Sequence, residues 1–210
     1  MNLTEQGIAA YLGEERLKYI QTVTIGIAGA GGLGSNCAMH LVRSGFKQFV
    51  LVDFDQIEKS NLNRQSYTLK QLDQYKVTAL SENMLAVNPA LDLDVLATKV
   101  TLENMQPLFD RCDAVVEAFD DPKIKRSFVE TFLSTEKLVV AASGIGGTGN
   151  ADAIITRKVR DNFYIIGDMV TECSAKQPPF SPKVAIAAAK QADVILSYYL
   201  DKFETEGGAK

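Results

Sequence analysis

The segment NLNRQ (61–65) concentrates the side chains best suited to phosphate chemistry. In a helical turn Asn61, Arg64 and Gln65 fall at i, i+3 and i+4 and share one face. Lys76 follows on the next periodic segment, and Asp120 and Asp121 close an apolar run further on. Upstream, GIAGAGGLGSN (26–36) places Gly29, Gly31 and Gly34 in the pattern G-x-G-x-x-G, with Gly32 as a fourth glycine. Such a loop turns tightly, lets backbone approach a phosphate, and packs a helix on a strand. Asp53 lies 19 residues beyond Gly34, where a ribose-binding carboxylate belongs, and Asp55 stands beside it. Arginine and lysine would offset charge on phosphates and on departing pyrophosphate. An aspartate offers oxygen to Mg²⁺, which bridges to phosphates. The set contains no general base, and a carboxylate nucleophile needs none. It suits a triphosphate under attack better than a nicotinamide cofactor. Hydride transfer would also need a substrate-holding insert and an acid–base residue, whereas the single histidine, His40, sits mid-helix and is expected to be packed.

Positioning these groups requires alternating strands and helices. Buried strands are read at 22–28, 47–55, 113–119 and 137–143, with an alternating strand at 90–98 and two more within 151–157 and 162–168. Helices are read at 4–20, 32–45 (closed by Gly45), 69–87, 101–110, 121–136 (Pro122 in its first turn) and 181–200 (Ser181 as cap). In the segment from Leu69, Val77, Leu80, Met84 and Val87 recur at helical spacing. The expected fold is α/β and Rossmann-like: a mostly parallel sheet covered on both faces, with antiparallel strands near the C-terminal end. One domain over 1–210 is expected, with residues 203–210 as a frayed tail. The glycine loop, Asp53 and Asp120 would then meet at the carboxyl ends of strands, at the switch point.

The 210 residues are 46% hydrophobic, enough for one sizeable core, and carry a net charge of −4. That acidic balance, without a basic run, argues against binding a nucleic-acid backbone. Three separated cysteines, Cys37, Cys112 and Cys173, form neither a C-x-x-C pair nor an even framework. They are read as free thiols in a reducing compartment. With no apolar signal core and no long apolar run, a cytoplasmic protein away from membranes is expected.

Taken together, GIAGAGGLGSN, LVDFD, NLNRQ, QYKVTAL and AFDD resemble the ThiF/MoeB/HesA family, relatives of the ubiquitin-activating enzymes, in its short ThiF-type form. The resemblance is close over residues 20 to about 140. It implies adenylation: MgATP and the C-terminal Gly-Gly of a ubiquitin-fold sulfur carrier give a carrier acyl-adenylate and pyrophosphate. By motif, Gly29, Gly31, Gly32 and Gly34 would line the nucleotide and Asp53 would hold the ribose. Asn61, Arg64, Gln65 and Lys76 would contact phosphates, and Asp120 matches the metal and catalytic aspartate. Family members act as homodimers with an arginine from the partner's N-terminal helix, for which Arg16 is the candidate.

Three features depart from the family pattern. Glu117 stands where an aspartate is usual, the paired C-x-x-C motifs of a structural zinc are absent, and Cys173 is a lone thiol in the loop before the last helix. Without those motifs no structural zinc is expected. A ThiS-like carrier in thiamin thiazole synthesis is the first reading of the substrate. Others are a MoaD-like carrier, a small carboxylate or a tRNA base, and a regulatory module that binds NAD or ATP without turnover.

Overall fold

Strand β1 (Thr24–Ala28) is buried at every position, as a central strand covered on both faces must be. A computed structural model describes residues 1–207 and places β1 in a seven-stranded sheet of order β3-β2-β1-β4-β5-β7-β6. The other strands are β2 (Gln48–Val52), β3 (Asp92–Leu96), β4 (Ala114–Glu117), β5 (Leu138–Ala142), β6 (Ile155–Arg160) and β7 (Phe163–Gly167). All pairings are parallel except β6 with β7, so the architecture is the Rossmann-like one expected.

The helices are α1 (Leu3–Leu12), α2 (Glu14–Ile20), α3 (Gly32–Ser44), α4 (Lys76–Val87), α5 (Met105–Leu108), α6 (Pro122–Phe132) and α7 (Ser181–Thr205). Strand residues alternate between two apolar layers. Ile25, Ile27, Leu51 and Val116 meet α2, α3, α4 and α7. Ala28, Val50, Val115 and Val139 meet the α5–α6 side, where Phe109, Phe128 and Phe132 stack edge to face. No helix among the described residues is long and apolar enough to cross a membrane.

Several boundaries differ from the sequence reading, each for a local reason. The single helix expected over 4–20 is two, because Gly13 adopts φ +88° between α1 and α2. The helix expected from Leu69 begins at Lys76. Leu69–Gln71 form one 3-10 turn, and Asp73 at φ +66° breaks the path. The helix read over 101–110 shrinks to α5, which has Pro107 inside it. In α7, Ser181 and Pro182 are already helical and Phe180 is the flanking residue, with no side-chain cap. That helix runs to Thr205, past the expected end, while residues 208–210 of the expected tail lie outside the described residues. His40, expected to be packed, is exposed on α3.

Candidate active site

The glycine loop leaves β1 at the point where the chain order of the sheet reverses, between β1 and its neighbours β2 and β4. Gly29 takes φ +100° over the end of β4, where an added Cβ would lie 2.7 Å from the Ala118 carbonyl oxygen. A Cβ on Gly34 would collide with the Gly29 carbonyl, so this glycine is what lets α3 start flush against the strand. Gly31 flanks α3 and accepts its first backbone bond, from Ser35 N–H at 3.0 Å. The N–H groups ahead of Ser35 form the positive end of the helix, which faces the mouth of the sheet.

Asp53 follows β2 and is 9% exposed. Its carboxylate accepts Ala30 N–H at 2.6 Å and Asp55 N–H at 2.8 Å, tying the second strand end to the glycine loop. Burial pushes this carboxyl above its usual range, against the Lys76 ammonium and the two N–H donors. Lys76, 7% exposed, opens α4 and pairs with Asp55 at 2.6 Å.

The Asn61–Gln65 segment is one helical turn, with Arg64 N–H and Gln65 N–H both bonded to the Asn61 carbonyl. The face inferred from spacing is therefore real, but its members differ in what they do. Asn61 is buried and its side chain accepts Glu58 N–H at 2.9 Å, which turns it into a local cap. Arg64 crosses the glycine loop, its Cγ 3.4 Å from where a Gly32 Cβ would stand, and its guanidinium reaches Ser60 and Asn63. Gln65 is buried with its Nε2 near Gly31, and its Oε1 has no hydrogen-bond partner among the described residues. Asp120 and Asp121 separate. Asp121 caps α6 by accepting Lys123 and Ile124 N–H, whereas Asp120 is exposed with no hydrogen bond among the described residues.

Several supporting residues carry no motif. Tyr67 donates to Ala30 O at 2.6 Å, and Asn36 Nδ2 donates to Gly32 O and Arg64 O. Ser35 Oγ accepts Ser66 N–H. Asn36 closes the glycine segment, but its target, the Arg64 carbonyl, is brought from 28 positions away by the fold.

The loop 168–180 passes from β7 back toward this cleft. Gly147 bridges Pro179, and Asn63 Nδ2 donates to Pro179 O at 3.4 Å. Its root is fastened by buried Lys183, which donates to Gly146 O at 2.8 Å and lies 3.6 Å from Asp168. Burial alone would raise the Asp168 carboxyl. Hydrogen bonds from Thr171 and Val170, with the Lys183 ammonium, hold it down at about 2. Cys173 is exposed on this loop. Packing of the loop pushes its thiol up, against the pull of Arg64, Lys125 and Lys183. Cys37 and Cys112 are buried, and burial raises both thiols, that of Cys112 to about 12.

A family model described as the ThiF family matches residues 4–205. The chain belongs to the ThiF family. Among solved structures, that of the E. coli tRNA N6-threonylcarbamoyladenosine dehydratase TcdA in complex with ATP superposes with a TM-score of 0.82. It is 20% identical in sequence and matches over 98% of this chain and 95% of that one, a likeness of fold. Two curated relatives are the Sulfur carrier protein ThiS adenylyltransferase of E. coli (28% identical over 65% of this chain and 54% of the relative) and the tRNA threonylcarbamoyladenosine dehydratase of Bacillus subtilis (30% over 63% and 53%). The adenylyltransferase and sulfurtransferase UBA4 of Candida glabrata is 27% identical over 90% of this chain and 41% of its own length. The chain thus spans about half or less of these curated relatives.

Arg16 lies away from the glycine-loop cleft. It pairs with Glu204 at 2.7 Å, near the C-terminal end of α7, whereas Val184 at the other end packs on Gly32. Val184 and Glu204 are 20 positions apart on one helix, about 30 Å at 1.5 Å per residue. Two surface concavities, about 420 Å³ beside α1 and about 760 Å³ between α7 and the β6–β7 pair, are lined by residues outside the glycine-loop cleft.

Proposed function

We propose that this ThiF-family protein is an ATP-dependent adenylyltransferase. Its substrate in this reading is the C-terminal glycine carboxylate of a ubiquitin-fold, ThiS-like sulfur carrier, activated in thiamin thiazole synthesis. The observation that supports it is the packing of Arg64 and Gln65 on the glycine loop, with Lys76 paired to Asp55 just beyond β2 and Asp120 three positions beyond the end of β4. In this reading the glycine-loop N–H groups and α3 receive phosphate, and Asp53 and Asp55 face the ribose side. A carrier carboxylate oxygen attacks the α-phosphorus. The bond from that phosphorus to the bridging oxygen breaks, and pyrophosphate leaves with the electron pair. Arg64 and Lys76 meet the charge that builds on the phosphates, so catalysis is positioning and electrostatic stabilisation.

Asp120 is the residue that would hold Mg²⁺. Its exposed carboxylate, without a hydrogen bond among the described residues, fits an ion that takes one or two carboxylates and completes its shell with phosphate oxygens and water. When bound, that ion neutralises phosphate charge. The assembly in this reading is a homodimer, since Arg16 can serve a cleft only in a second copy.

A tRNA base is the second reading, favoured by the similarity to the tRNA threonylcarbamoyladenosine dehydratase of Bacillus subtilis. The net charge of −4 disfavours a polyanionic partner and supports the carrier. Exchange of labelled pyrophosphate into ATP separates these readings. Exchange that requires a Gly-Gly carrier is the expected result. Exchange driven by tRNA instead supports the second reading. No exchange, with micromolar NAD binding by calorimetry, would leave a nucleotide-binding regulatory module.

A further inference from the structure

The turn that ends β4 is held by an ion pair absent from the nucleotide motifs. Glu117 is 1% exposed. Its carboxylate accepts Phe119 N–H at 2.8 Å and the Lys125 ammonium at 2.9 and 2.8 Å, one oxygen each. The same ammonium donates to Phe119 O at 3.1 Å. A lysine in the first turns of a helix opposes the helix dipole, so its place near the start of α6 needs a counter-charge, and Glu117 is that counter-charge. The other sides of the turn are occupied as well. Ala118 N–H donates to Ala28 O at 2.9 Å, Gly29 lies against Ala118 O, and Gln191 Nε2 donates to Glu117 O at 3.3 Å. Asp120 therefore sits between two anchored points, the Glu117–Phe119 turn before it and the Asp121 cap after it.

We propose that Lys125 is the positioning residue for Asp120: by bonding Glu117 and the Phe119 carbonyl together, it fixes the turn that carries Asp120 beside the Gly29 end of the glycine loop. This role rests on the adenylation reading, in which Asp120 is the metal-side carboxylate. Catalytic groups must be held within about 0.5 Å of productive geometry, and a 1 Å misplacement can cost on the order of a hundredfold in rate. Lys125 itself need not touch substrate. It acts through Asp120, and its loss should matter only while Asp120 is present.

The test is pyrophosphate exchange on the full-length protein with a Gly-Gly carrier. Lys125→Met should lower kcat roughly 30- to 100-fold while KM for ATP stays within about threefold. Lys125→Arg should recover most of that loss. The Asp120→Asn, Lys125→Met double variant should be no slower than Asp120→Asn alone. A Lys125→Met enzyme with wild-type exchange overturns the proposal. So does a raised KM at unchanged kcat, which would make Lys125 a phosphate contact, and so do losses that multiply in the double variant. If Lys125→Met fails to fold, Glu117→Gln with Lys125→Met replaces the buried pair by neutral groups of similar size. The kcat defect should persist there, and full recovery would reduce the pair to a structural role. A wild-type protein without exchange sinks the adenylation reading instead. Lys125 is then read from calorimetry of ATP with and without Mg²⁺, where Lys125→Met should abolish the gain from the ion; an unchanged gain overturns the proposal.

Discussion

Replacing Lys76 by methionine separates a phosphate-binding lysine from a merely structural one, because in this structure the ammonium is already engaged. It lies 2.6 Å from Asp55 Oδ2 with its own side chain 8% exposed, while the Asp55 side chain is 46% exposed. Breaking a fully buried pair costs about 3–5 kcal/mol and a surface pair contributes about 0–1. A pair buried on one side only should lie between, at about 1–2 kcal/mol. For a chain of this size that is a Tm loss of roughly 2–8 °C.

The loss should depend on pH in a definite sense. Burial already holds the Asp53 carboxyl above its usual 3.8, and Lys76 is the main opposing charge. A carboxyl raised in the folded state contributes stability at low pH and loses it as pH rises through the folded value. Without Lys76 the rise is larger, so the variant's deficit should be greatest near neutrality and shrink as pH falls toward 4. Exchange activity should fall further than stability explains. One removed charge-stabilising donor costs about 3 kcal/mol, on the order of a hundredfold in rate. Adding Asp55→Asn to Lys76→Met should restore only part of the Tm, since Asp53 still lacks its opposing charge, and should leave exchange low. Pyrophosphate exchange and thermal unfolding of the same preparations measure both. Folded Lys76→Met protein exchanging within about threefold of wild type would refute the phosphate role and leave Lys76 as the partner of Asp55.

Cys173→Ser should keep exchange within about threefold, under ~1 kcal/mol, since in the adenylation reading the thiol acts only after the acyl-adenylate forms; abolished exchange with intact circular dichroism would put the thiol in the adenylation site. Asp168, held at about 2, contributes stability that is present above 3.8 and is lost as pH falls toward 2. Asp168→Asn should therefore flatten the acid limb of the Tm–pH curve, and an unchanged limb counts against the latch between Lys183 and the loop root. Light scattering at micromolar concentration should return the mass of a dimer, and a monomer mass would remove the second-copy role of Arg16.

Much of the architecture was legible in the chain because its signals are local. Short, mostly apolar runs mark the central strands. The glycine spacing marks the strand–loop–helix turn, since only glycine tolerates the φ of Gly29 and the closeness of Gly34 to the Gly29 carbonyl. The spacing of Asn61, Arg64 and Gln65 carried their shared turn, and the order of the motifs carried the family. Helix limits were less legible where one residue overrode the periodicity, as at Gly13 and Asp73.

Which polar residue does what was decided by tertiary contact. Asn61, Arg64 and Gln65 look equivalent in sequence, yet one caps a turn, one crosses the glycine loop and one is buried with an unpaired oxygen. Asp120 and Asp121 are adjacent and chemically identical, but the second is consumed by the N-terminus of α6. Lys125, Lys183 and Tyr67 belong to no pattern, because their partners arrive from 6 to 37 positions away along the chain. Sequence spacing determines the direction in which a side chain leaves its own element. The opposing charge, carbonyl or glycine that it meets is set by how the strands and helices pack, and only that packing distinguishes a group left free for substrate from one that the fold has already used.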